Sequence, residues 1–327
     1  MTGRITGTGS FVPEINVSNE ELSEIVDTSD AWIYSRTGIR SRRIAGKETV
    51  AEMGAEAARR AMEKAGALAE EIELLIVATC SGEFLFPSTA CQIQKEIGAR
   101  QAVVFDISAA CSGFLFGLNT AWAYLQSGIY KKTLIIGTEK LSRLLNWEDR
   151  STCVLFGDGA GAVVLEAKET GIEGMVQHAN GEKGEVLTCR EGHVGIKGIN
   201  PFDKEPEAEQ KTCGLEMEGQ EVFKFAVKKV PECIEELLAQ TRTTKEEIKY
   251  YLLHQANSRI ISSAAKRLKE PEEKFPMNME HYGNTSAASI PILLDELNRQ
   301  GKLQRGDKLI LSGFGAGLTW GAVQIEW

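Results

Sequence analysis

This chain carries the same order of helix and strand patterns twice, and that repetition limits the folds that it can adopt. In each copy an amphipathic helix leads into a buried strand, a segment of small residues opens a second helix, and two further strands follow. The matching pairs are residues 51–66 and 222–240, ELLIVAT and IKYYLLHQ, SAACSGF (108–114) and SAASIPI (286–292), KTLIIGT and KLILSGF, and GAVVLEA (161–167) and GAVQIEW (321–327). Alternation of helices and strands in this way predicts an α/β fold built from a duplicated unit.

The duplication predicts two halves that pack together, residues 1–170 and residues 171–327. Between the repeated patterns, residues 180–215 are polar, rich in Gly, Lys and Glu, and without clear periodicity. We interpret them as a long irregular excursion from the second half. A loop of this length inside a compact domain is more often functional than idle, although a tolerated surface insertion is the alternative.

Composition excludes several classes of function. The net charge of −9 over 327 residues disfavours general nucleic-acid binding. Seven cysteines without CxxC spacing indicate neither a disulfide framework nor a zinc site. Apolar runs are too short to cross a membrane, and the first ten residues do not resemble a signal peptide. We therefore expect no metal, no membrane association and a cytoplasmic location.

Cys111 is the cysteine whose surroundings favour chemistry. It follows the strand pattern AVVFDIS and precedes a helix pattern, among small residues that leave room for a substrate. A helix N-terminus stabilises a thiolate, so we expect a depressed pKa for this thiol. The alternative for Cys111, and our interpretation of the other six cysteines, is a buried structural role.

His254 and Asn284 are candidate partners of that thiol. His254 ends the strand YYLLH, where α/β sheets place functional groups, and Asn257 is placed to cap the following helix. Asn284 lies in a Gly-Asn turn directly before SAAS, so the second copy of the Cys111 turn faces the same site. Thiol, neutral imidazole and amide suit thioester chemistry, with a covalent acyl intermediate and hydrogen bonds to a developing enolate.

Seven segments resemble β-ketoacyl-acyl-carrier-protein synthase III, a family of the thiolase superfamily. They are TSDAWIYSRTGIRSRRIA (28–45), FPSTACQIQ (86–94), DISAACSGF, FGDGAGAVVLE (156–166), HQANSRII (254–261), HYGNTSAAS (281–289) and FGAGLTWG (314–321). The resemblance implies a thiolase-like fold with layers α-β-α-β-α. It also implies a decarboxylating condensation of an acyl-CoA starter with malonyl-acyl carrier protein, which initiates fatty acid synthesis without a cofactor.

The resemblance also assigns roles to individual residues. Cys111 matches the acylated nucleophile, and His254 and Asn284 match the pair that binds the malonyl thioester. The backbone N–H groups of Cys111 and Ala316 match an oxyanion hole. The residues that match contacts to CoA are Thr28, Trp32, Arg36, Arg150, Gly219 and Asn257, with Trp32 and Arg150 on either side of the adenine. Phe86 matches a residue that enters the acyl tunnel of a second subunit, which implies a homodimer.

A basic surface beside the site is a candidate docking surface for the acidic carrier protein. Arg259, Lys266 and Arg267 share a side of the helix after His254, and Lys224 lies on another helix. An ordinary exposed helix face is the alternative. The CSGEFL segment before Phe86 and the 180–215 excursion depart from the family's commonest pattern where the acyl chain is selected, which leaves the starter acyl group open. Ala316 also stands in place of a glycine, but its backbone N–H is expected to remain as a donor.

Three other functions remain open from the residues. One is a specialised synthase, or an acyltransferase to oxygen or nitrogen. Another is a cysteine hydrolase, since Cys, His and Asn also serve in that chemistry. The third is a binding protein for acyl-CoA, in which Cys111 would be unreactive.

Overall fold

The computed structural model of this chain describes residues 1–190 and 214–327, which form two main β-sheets with helices between and outside them. Most of the 180–215 excursion lies outside the described residues. The strands are β1 (Thr2–Phe11), β2 (Ile15–Ser18), β3 (Ser41–Ile44), β4 (Leu74–Ala78), β5 (Val103–Ile107), β6 (Lys132–Lys140), β7 (Asp158–Lys168), β8 (Ile172–Ala179), β9 (Leu187–Arg190), β10 (Gly214–Met217), β11 (Ile248–Leu253), β12 (Lys308–Gly315) and β13 (Thr319–Glu326).

The helices alternate with these strands along the chain. They are α1 (Asn19–Ser23), α2 (Asp30–Thr37), α3 (Val50–Ala65), α4 (Thr89–Ile97), α5 (Gly113–Gln126), α6 (Gly219–Thr241), α7 (Ser258–Leu268), α8 (Met279–Tyr282) and α9 (Ser289–Arg299). Short 3-10 turns occupy Ala69–Glu71, Ala110–Ser112, Leu141–Leu144, Gly181–Val186, Lys245–Glu247, Glu272–Lys274 and Ser286–Ala288.

The two large sheets share one strand order. The first is β1-β7-β6-β4-β5 and the second is β8-β13-β12-β11. In the first, β4 and β6 are parallel while β6, β7 and β1 are antiparallel. The second repeats this with β11 and β12 parallel and β12, β13 and β8 antiparallel. The repeated patterns in the sequence therefore correspond to a repeated sheet topology.

Helices α5 and α9 form the layer between the sheets. Their apolar side chains, including Leu118 and Leu294, share one core with Ile76 of the first sheet and Leu311 of the second. On the outer faces, α3 and α4 pack against the first sheet, whereas α6 and α7 pack against the second. This is the α-β-α-β-α layering that the resemblance implied.

Local sequence explains how α3 begins and ends. Thr49 and Glu52 form a capping box at its start, and Gly66 ends it in a left-handed conformation with φ of 63°. Glycines on β1 let the helix approach this strand closely, since a Cβ atom added to Gly7 would lie 2.2 Å from the Ala61 carbonyl oxygen. Residues 51–66 were predicted to be helical, and the helix occupies them with a shift of one residue.

The excursion is more regular at its ends than predicted. Gly181–Val186 form a 3-10 turn, and β9 pairs antiparallel with β10. The prediction of irregular structure is therefore wrong for these residues, because Leu187 and Met217 pack against the core of the second sheet and support the pairing. Among the described residues, no helix combines the length and the apolar character required to cross a membrane.

Candidate active site

One cavity of about 720 Å³ brings together side chains from both halves of the chain. Cys111, His254 and Asn284 all line it. It is also lined by seven other residues singled out from the sequence, Trp32, Arg36, Arg150, Gly219, Lys224, Asn257 and Arg259. Five more that were singled out, Thr28, Phe86, Ala316, Lys266 and Arg267, are not among its lining residues.

Cys111 lies on the 3-10 turn between β5 and α5. The preceding residue, Ala110, has a φ of 45°, an uncommon conformation for a residue other than glycine. Across the turn, a Cβ atom added to Gly315 would lie 2.7 Å from the backbone nitrogen of Cys111. The close approach requires glycine at 315.

The pKa of Cys111 differs from the prediction. Burial raises the pKa of this thiol to about 12, against a hydrogen bond with Ser286 that lowers it. The expected depression by a helix N-terminus is therefore wrong for this structure. Cys111 precedes the first residue of α5 by two positions, and burial is the largest of the contributions to its pKa.

The second copy of the Cys111 turn faces the first, but with a different register from that of the sequence comparison. SAAC and SAAS align Cys111 with Ser289. In the structure the 3-10 turns Ala110–Ser112 and Ser286–Ala288 correspond, so the mate of Cys111 is Ala287. Ser286 has a φ of 49°, like Ala110 at the matching position. The two registers differ by two residues, because the structural repeat is defined by backbone conformation rather than by residue type.

His254 follows β11 directly and is buried. Burial lowers its pKa to about 3, so the imidazole is neutral at physiological pH. Its Nδ1 lies 2.7 Å from the Ser289 hydroxyl, which also accepts a hydrogen bond from the Gln255 backbone N–H. The Ser289 hydroxyl has no other acceptor within the described residues, so the arrangement that satisfies both groups is the one in which this hydroxyl donates to Nδ1. The tautomer that results carries its proton on Nε2, the nitrogen left for the cavity.

Hydrogen bonds of its backbone and of its side-chain oxygen hold Asn284 in place. Its N–H donates to the Leu155 carbonyl at 2.8 Å, and its own carbonyl accepts from the Gly157 N–H at 3.1 Å. Its Oδ1 accepts from the Ser286 N–H at 2.9 Å. The side-chain NH2 group of Asn284 is therefore available to donate a hydrogen bond to a ligand. The Nε2–H group of His254 is available in the same way.

Two guanidinium groups lie over the ring of Trp32. Arg36 lies 4.6 Å and Arg150 lies 5.1 Å from the ring centroid. Arg150 also donates to the Asp27 carbonyl at 2.9 Å, which places it beside Thr28. The Thr28 hydroxyl oxygen is buried and has no hydrogen-bond partner within the described residues.

Asn257 caps α7, as predicted. Its Oδ1 accepts from the Arg259 N–H at 2.9 Å, and its Nδ2 donates to the Arg36 carbonyl at 2.9 Å. This hydrogen bond ties the start of α7 to the helix that carries Trp32. Gly219 opens α6 on another side of the cavity.

The basic residues divide into two groups. Lys224 pairs with Glu221 at 2.7 Å, and the Arg259 guanidinium lies 5.4 Å from the Phe223 ring centroid, both at the cavity. Lys266 and Arg267 are exposed further along α7, where Arg267 pairs with Glu232 at 3.4 Å.

Sequence reasoning missed the residues that hold the three central side chains. Ser289 orients His254, and Ser286 contacts both Asn284 and the buried carboxyl of Glu139. The repeated SAAS segment was the available signal for both serines. No sequence pattern singled out Glu139, which is the penultimate residue of the buried strand β6.

Known proteins similar to this chain agree with the chemistry that the geometry of the cavity suggests. Residues 105–182 match the family described as 3-oxoacyl-[acyl-carrier-protein (ACP)] synthase III, and residues 238–327 match its C-terminal part. The chain is 49% identical over 324 residues to β-ketoacyl-[acyl-carrier-protein] synthase III of Clostridium botulinum (strain Hall), covering 99% of this chain and 98% of the relative. This chain belongs to the β-ketoacyl-acyl-carrier-protein synthase III family.

Solved structures agree with this membership. The 3-oxoacyl-[acyl-carrier-protein] synthase III of Aquifex aeolicus VF5 superposes with a TM-score of 0.91 at 43% identity, covering 99% of this chain and 100% of that one. A priming β-ketosynthase from the R1128 polyketide biosynthetic pathway superposes with a TM-score of 0.91 at 36% identity, covering 99% and 96%. The predicted thiolase-like fold is confirmed. As a synthase III, the chain is a condensing acyltransferase of the step that initiates fatty acid synthesis.

Proposed function

We propose that this synthase III condenses an acyl-CoA starter with malonyl-acyl carrier protein to give 3-oxoacyl-acyl carrier protein, through an acyl group on Cys111. The observation that carries the proposal is one cavity with two chemically distinct parts. One part has a thiol, a neutral histidine and an asparagine amide, and the other has a tryptophan ring flanked by arginines.

The first half-reaction transfers the acyl group to Cys111. The sulfur attacks the thioester carbonyl, the carbonyl oxygen becomes an oxyanion, and CoA leaves as its thiolate. The backbone N–H groups of Cys111 and Ala316 are the proposed donors to that oxyanion. Thr319 supports this arrangement, because its hydroxyl lies 2.8 Å from that of Ser112 and donates to the Ala316 carbonyl at 3.1 Å.

The second half-reaction forms the new carbon–carbon bond. Loss of CO2 from the malonyl group leaves an enolate whose oxygen accepts hydrogen bonds from His254 Nε2–H and the Asn284 NH2 group. Each preorganised donor of this kind contributes about 3 kcal/mol to the transition state. The enolate carbon then attacks the acyl-Cys111 carbonyl, and the Cys111 sulfur leaves. Because these donors stabilise the charge, the reaction requires no cofactor or metal.

The arginine-flanked ring suits the adenine end of CoA. A base stacked between Trp32 and Arg150 needs a separation of about 7 Å, twice an ordinary contact distance. At 5.1 Å the guanidinium would move outward by about 2 Å to admit it. Arg36, Thr28, Gly219 and Asn257 surround this region and are the proposed contacts to the rest of CoA.

The carrier protein would dock on the basic residues at and beyond the cavity mouth. Lys224 and Arg259 line the cavity, and Lys266 and Arg267 extend the positive charge along α7. Such charges accelerate encounter with an acidic partner, and they do so less at high salt. Docking here would be transient.

A homodimer is the proposed assembly, and the cytoplasm its proposed location. Strand β5 ends the first sheet, and Val103 on this edge is 50% exposed. Phe84, Leu85 and Phe86 are 59%, 71% and 84% exposed. An open edge and an exposed apolar group are the features that a second copy would cover, and Phe86 could then reach the acyl tunnel of that copy.

The half-reaction at Cys111 provides the test. Wild-type protein mixed with acyl-CoA alone should release one equivalent of CoA in a burst and gain the acyl mass on Cys111, with no further turnover. Continuous release of CoA with free acid would instead identify a hydrolase. A Cys111 that gains no mass would leave only acyl-CoA binding.

A second candidate is a priming role in a specialised pathway, favoured by the likeness to the R1128 priming β-ketosynthase. The chemistry at Cys111, His254 and Asn284 would be the same. The starter acyl group and the carrier protein would differ, so a panel of acyl-CoAs assayed with both kinds of carrier protein distinguishes the two.

A further inference from the structure

The carboxyl of Glu139, near the end of β6, is fully buried, and the reaction steps above do not involve it. Its Oε2 accepts hydrogen bonds from the Thr79 hydroxyl at 3.2 Å, the Cys80 backbone N–H at 3.1 Å and the Ser81 hydroxyl. Its Oε1 accepts from the Ser286 hydroxyl at 3.0 Å and from the Cys80 thiol at 3.3 Å. One carboxyl therefore joins a segment of the first half to a turn of the second half.

Ser286 is the residue through which this carboxyl reaches Asn284. The Ser286 backbone N–H donates to Asn284 Oδ1 at 2.9 Å. The direction of that N–H depends on the backbone of Ser286, whose φ is 49°. A positive φ is strained for a residue other than glycine, and it persists only where the surroundings hold it. The hydrogen bond from the Ser286 hydroxyl to Glu139 restrains this residue through its side chain.

The turn Ser286–Ala288 also packs directly against β6. A Cβ atom added to Gly137 would lie 2.3 Å from the Ala287 carbonyl oxygen, so the backbones of the turn and the strand are in contact there. Glu139 lies two residues further along β6, and alternate residues of a strand share a face. The carboxyl therefore reaches the turn from a rigid, buried strand, as a precise restraint requires.

The matching turn of the first half is restrained in a different way. Ala110, at the position that matches Ser286, has a φ of 45° and no hydroxyl. The carbonyl before it, that of Ala109, accepts from the Ser112 hydroxyl at 2.8 Å and from the Thr319 hydroxyl at 3.3 Å. The corresponding carbonyl of the second turn has no hydroxyl donor among the described residues. In that turn the restraint comes from the buried carboxyl.

We propose that Glu139 is a positioning residue for decarboxylation, which acts through Ser286 to aim the Asn284 amide. With Oδ1 held by the Ser286 N–H, the NH2 group of Asn284 is directed to the enolate oxygen. A reversed amide would present Oδ1 to that oxygen and would repel its developing charge. Acyl transfer to Cys111 does not use this amide, so the restraint matters in the second half-reaction alone. This inference rests on the proposed function.

The rate of CO2 release from malonyl-acyl carrier protein tests this role. Ser286→Ala should lower that rate about tenfold, a part of the roughly 100-fold that loss of a whole donor costs. Ser286→Gly should keep more activity than Ser286→Ala, because glycine adopts a positive φ without strain and so keeps the N–H direction unaided. Acyl transfer, followed by CoA release, should be nearly unchanged in both variants.

Ser142→Ala is the matched control. The Ser142 hydroxyl also donates to a buried carboxyl, that of Asp158, at 2.6 Å, and it has no hydrogen bond to the turn that holds Asn284. This variant should release CO2 at the wild-type rate. A tenfold loss in Ser142→Ala as well would mean that any lost hydroxyl–carboxyl contact slows the reaction, and it would overturn the specific role of Glu139.

Double substitutions show whether the effect passes through Asn284. In an Asn284→Ala background, Ser286→Ala should cause no further loss of decarboxylation, because residues that act through one group are not additive. Glu139→Gln should lower CO2 release in the wild-type background and by a smaller factor in Ser286→Gly, where the carboxyl no longer acts through a serine. Additive losses in either pair would overturn the proposal.

The remaining outcomes separate this inference from the proposed function. Wild-type CO2 release by Ser286→Ala, or equal losses in Ser286→Ala and Ser286→Gly, would remove the positioning role and leave the proposed function standing. If Glu139→Gln fails to fold, the Ser286 and Asn284 variants decide. A wild-type protein that releases no CO2 from malonyl-acyl carrier protein contradicts the proposed function, and the positioning role with it.

Discussion

At the scale of single residues, the site depends on groups kept in their uncharged forms. Burial lowers the pKa of His254 to about 3 and raises the pKa of Cys111 to about 12. Neither group changes its charge near neutral pH in the free protein. The histidine thus serves as a hydrogen-bond donor, and the thiol needs a base in order to react.

These pKa values predict a pH dependence for malonyl decarboxylation. Above about pH 3 His254 is already neutral, so its donor form is fully present and does not change as the pH rises from 5 to 8. Decarboxylation by Cys111→Ala should therefore be flat over this range. A tenfold rise centred near pH 6.5, the ordinary pKa of histidine, would show that His254 titrates normally.

Cys111 and Asn284 should separate the two half-reactions. Cys111→Ala is expected to abolish acyl transfer and to keep part of the decarboxylation, whereas Asn284→Ala should do the reverse. Transfer is followed by CoA release, and decarboxylation by CO2 release from malonyl-carrier protein. Equal loss of both activities in both variants would contradict the separate roles.

Ser289 is predicted to fix the His254 tautomer. Ser289→Ala removes the donor to Nδ1, and the loss of a hydrogen bond worth about 1 kcal/mol should lower decarboxylation by about fivefold to tenfold. Acyl transfer to Cys111 should be unchanged. Ser127→Ala, at an exposed helix end, is the control. An equal fall in acyl transfer would argue against a tautomer effect.

At the scale of elements, the site exists because two matching turns meet where β12 ends. Gly315 on β12 leaves room for the Cys111 backbone, and a methyl group there would lie 2.7 Å from the Cys111 nitrogen. Gly315→Ala should displace the turn and lower acyl transfer by about 100-fold, an effect typical of misplacement by about 1 Å. Gly181→Ala is the matched control, since nothing lies within 4 Å of its added Cβ. Normal acylation by Gly315→Ala would contradict the requirement for this contact.

Long periodic segments of this chain are predictable from sequence, and tertiary details are not. Helix α3 and strand β11 follow from apolar spacing alone, and the repeated order predicts two similar sheets. The register between the two turns was misjudged because SAAC and SAAS match in letters but not in backbone conformation. The Cys111 pKa was misjudged because a helix N-terminus is visible in the sequence, whereas burial of the thiol depends on residues from distant segments. Glu139 was missed for that same reason.

At the scale of the whole molecule, the exposed apolar residues predict association with a second copy. Sedimentation should give twice the mass of one chain. Leu85→Asp and Phe86→Asp should each weaken the dimer and lower condensation with it. Leu68→Asp, at a site 66% exposed elsewhere on the surface, should leave both unchanged. A wild-type protein that sediments as a monomer at all concentrations, yet is fully active, would refute the proposed assembly.

The mass of malonyl-carrier protein after incubation with this enzyme and a panel of acyl-CoAs tests the central claim most directly. Condensation predicts that the malonyl form loses CO2 and gains the starter acyl group, giving the 3-oxoacyl form with at least one starter. If no starter gives that product while the acyl group is found on Cys111, the acceptor is not malonyl-carrier protein, and the proposed reaction is contradicted.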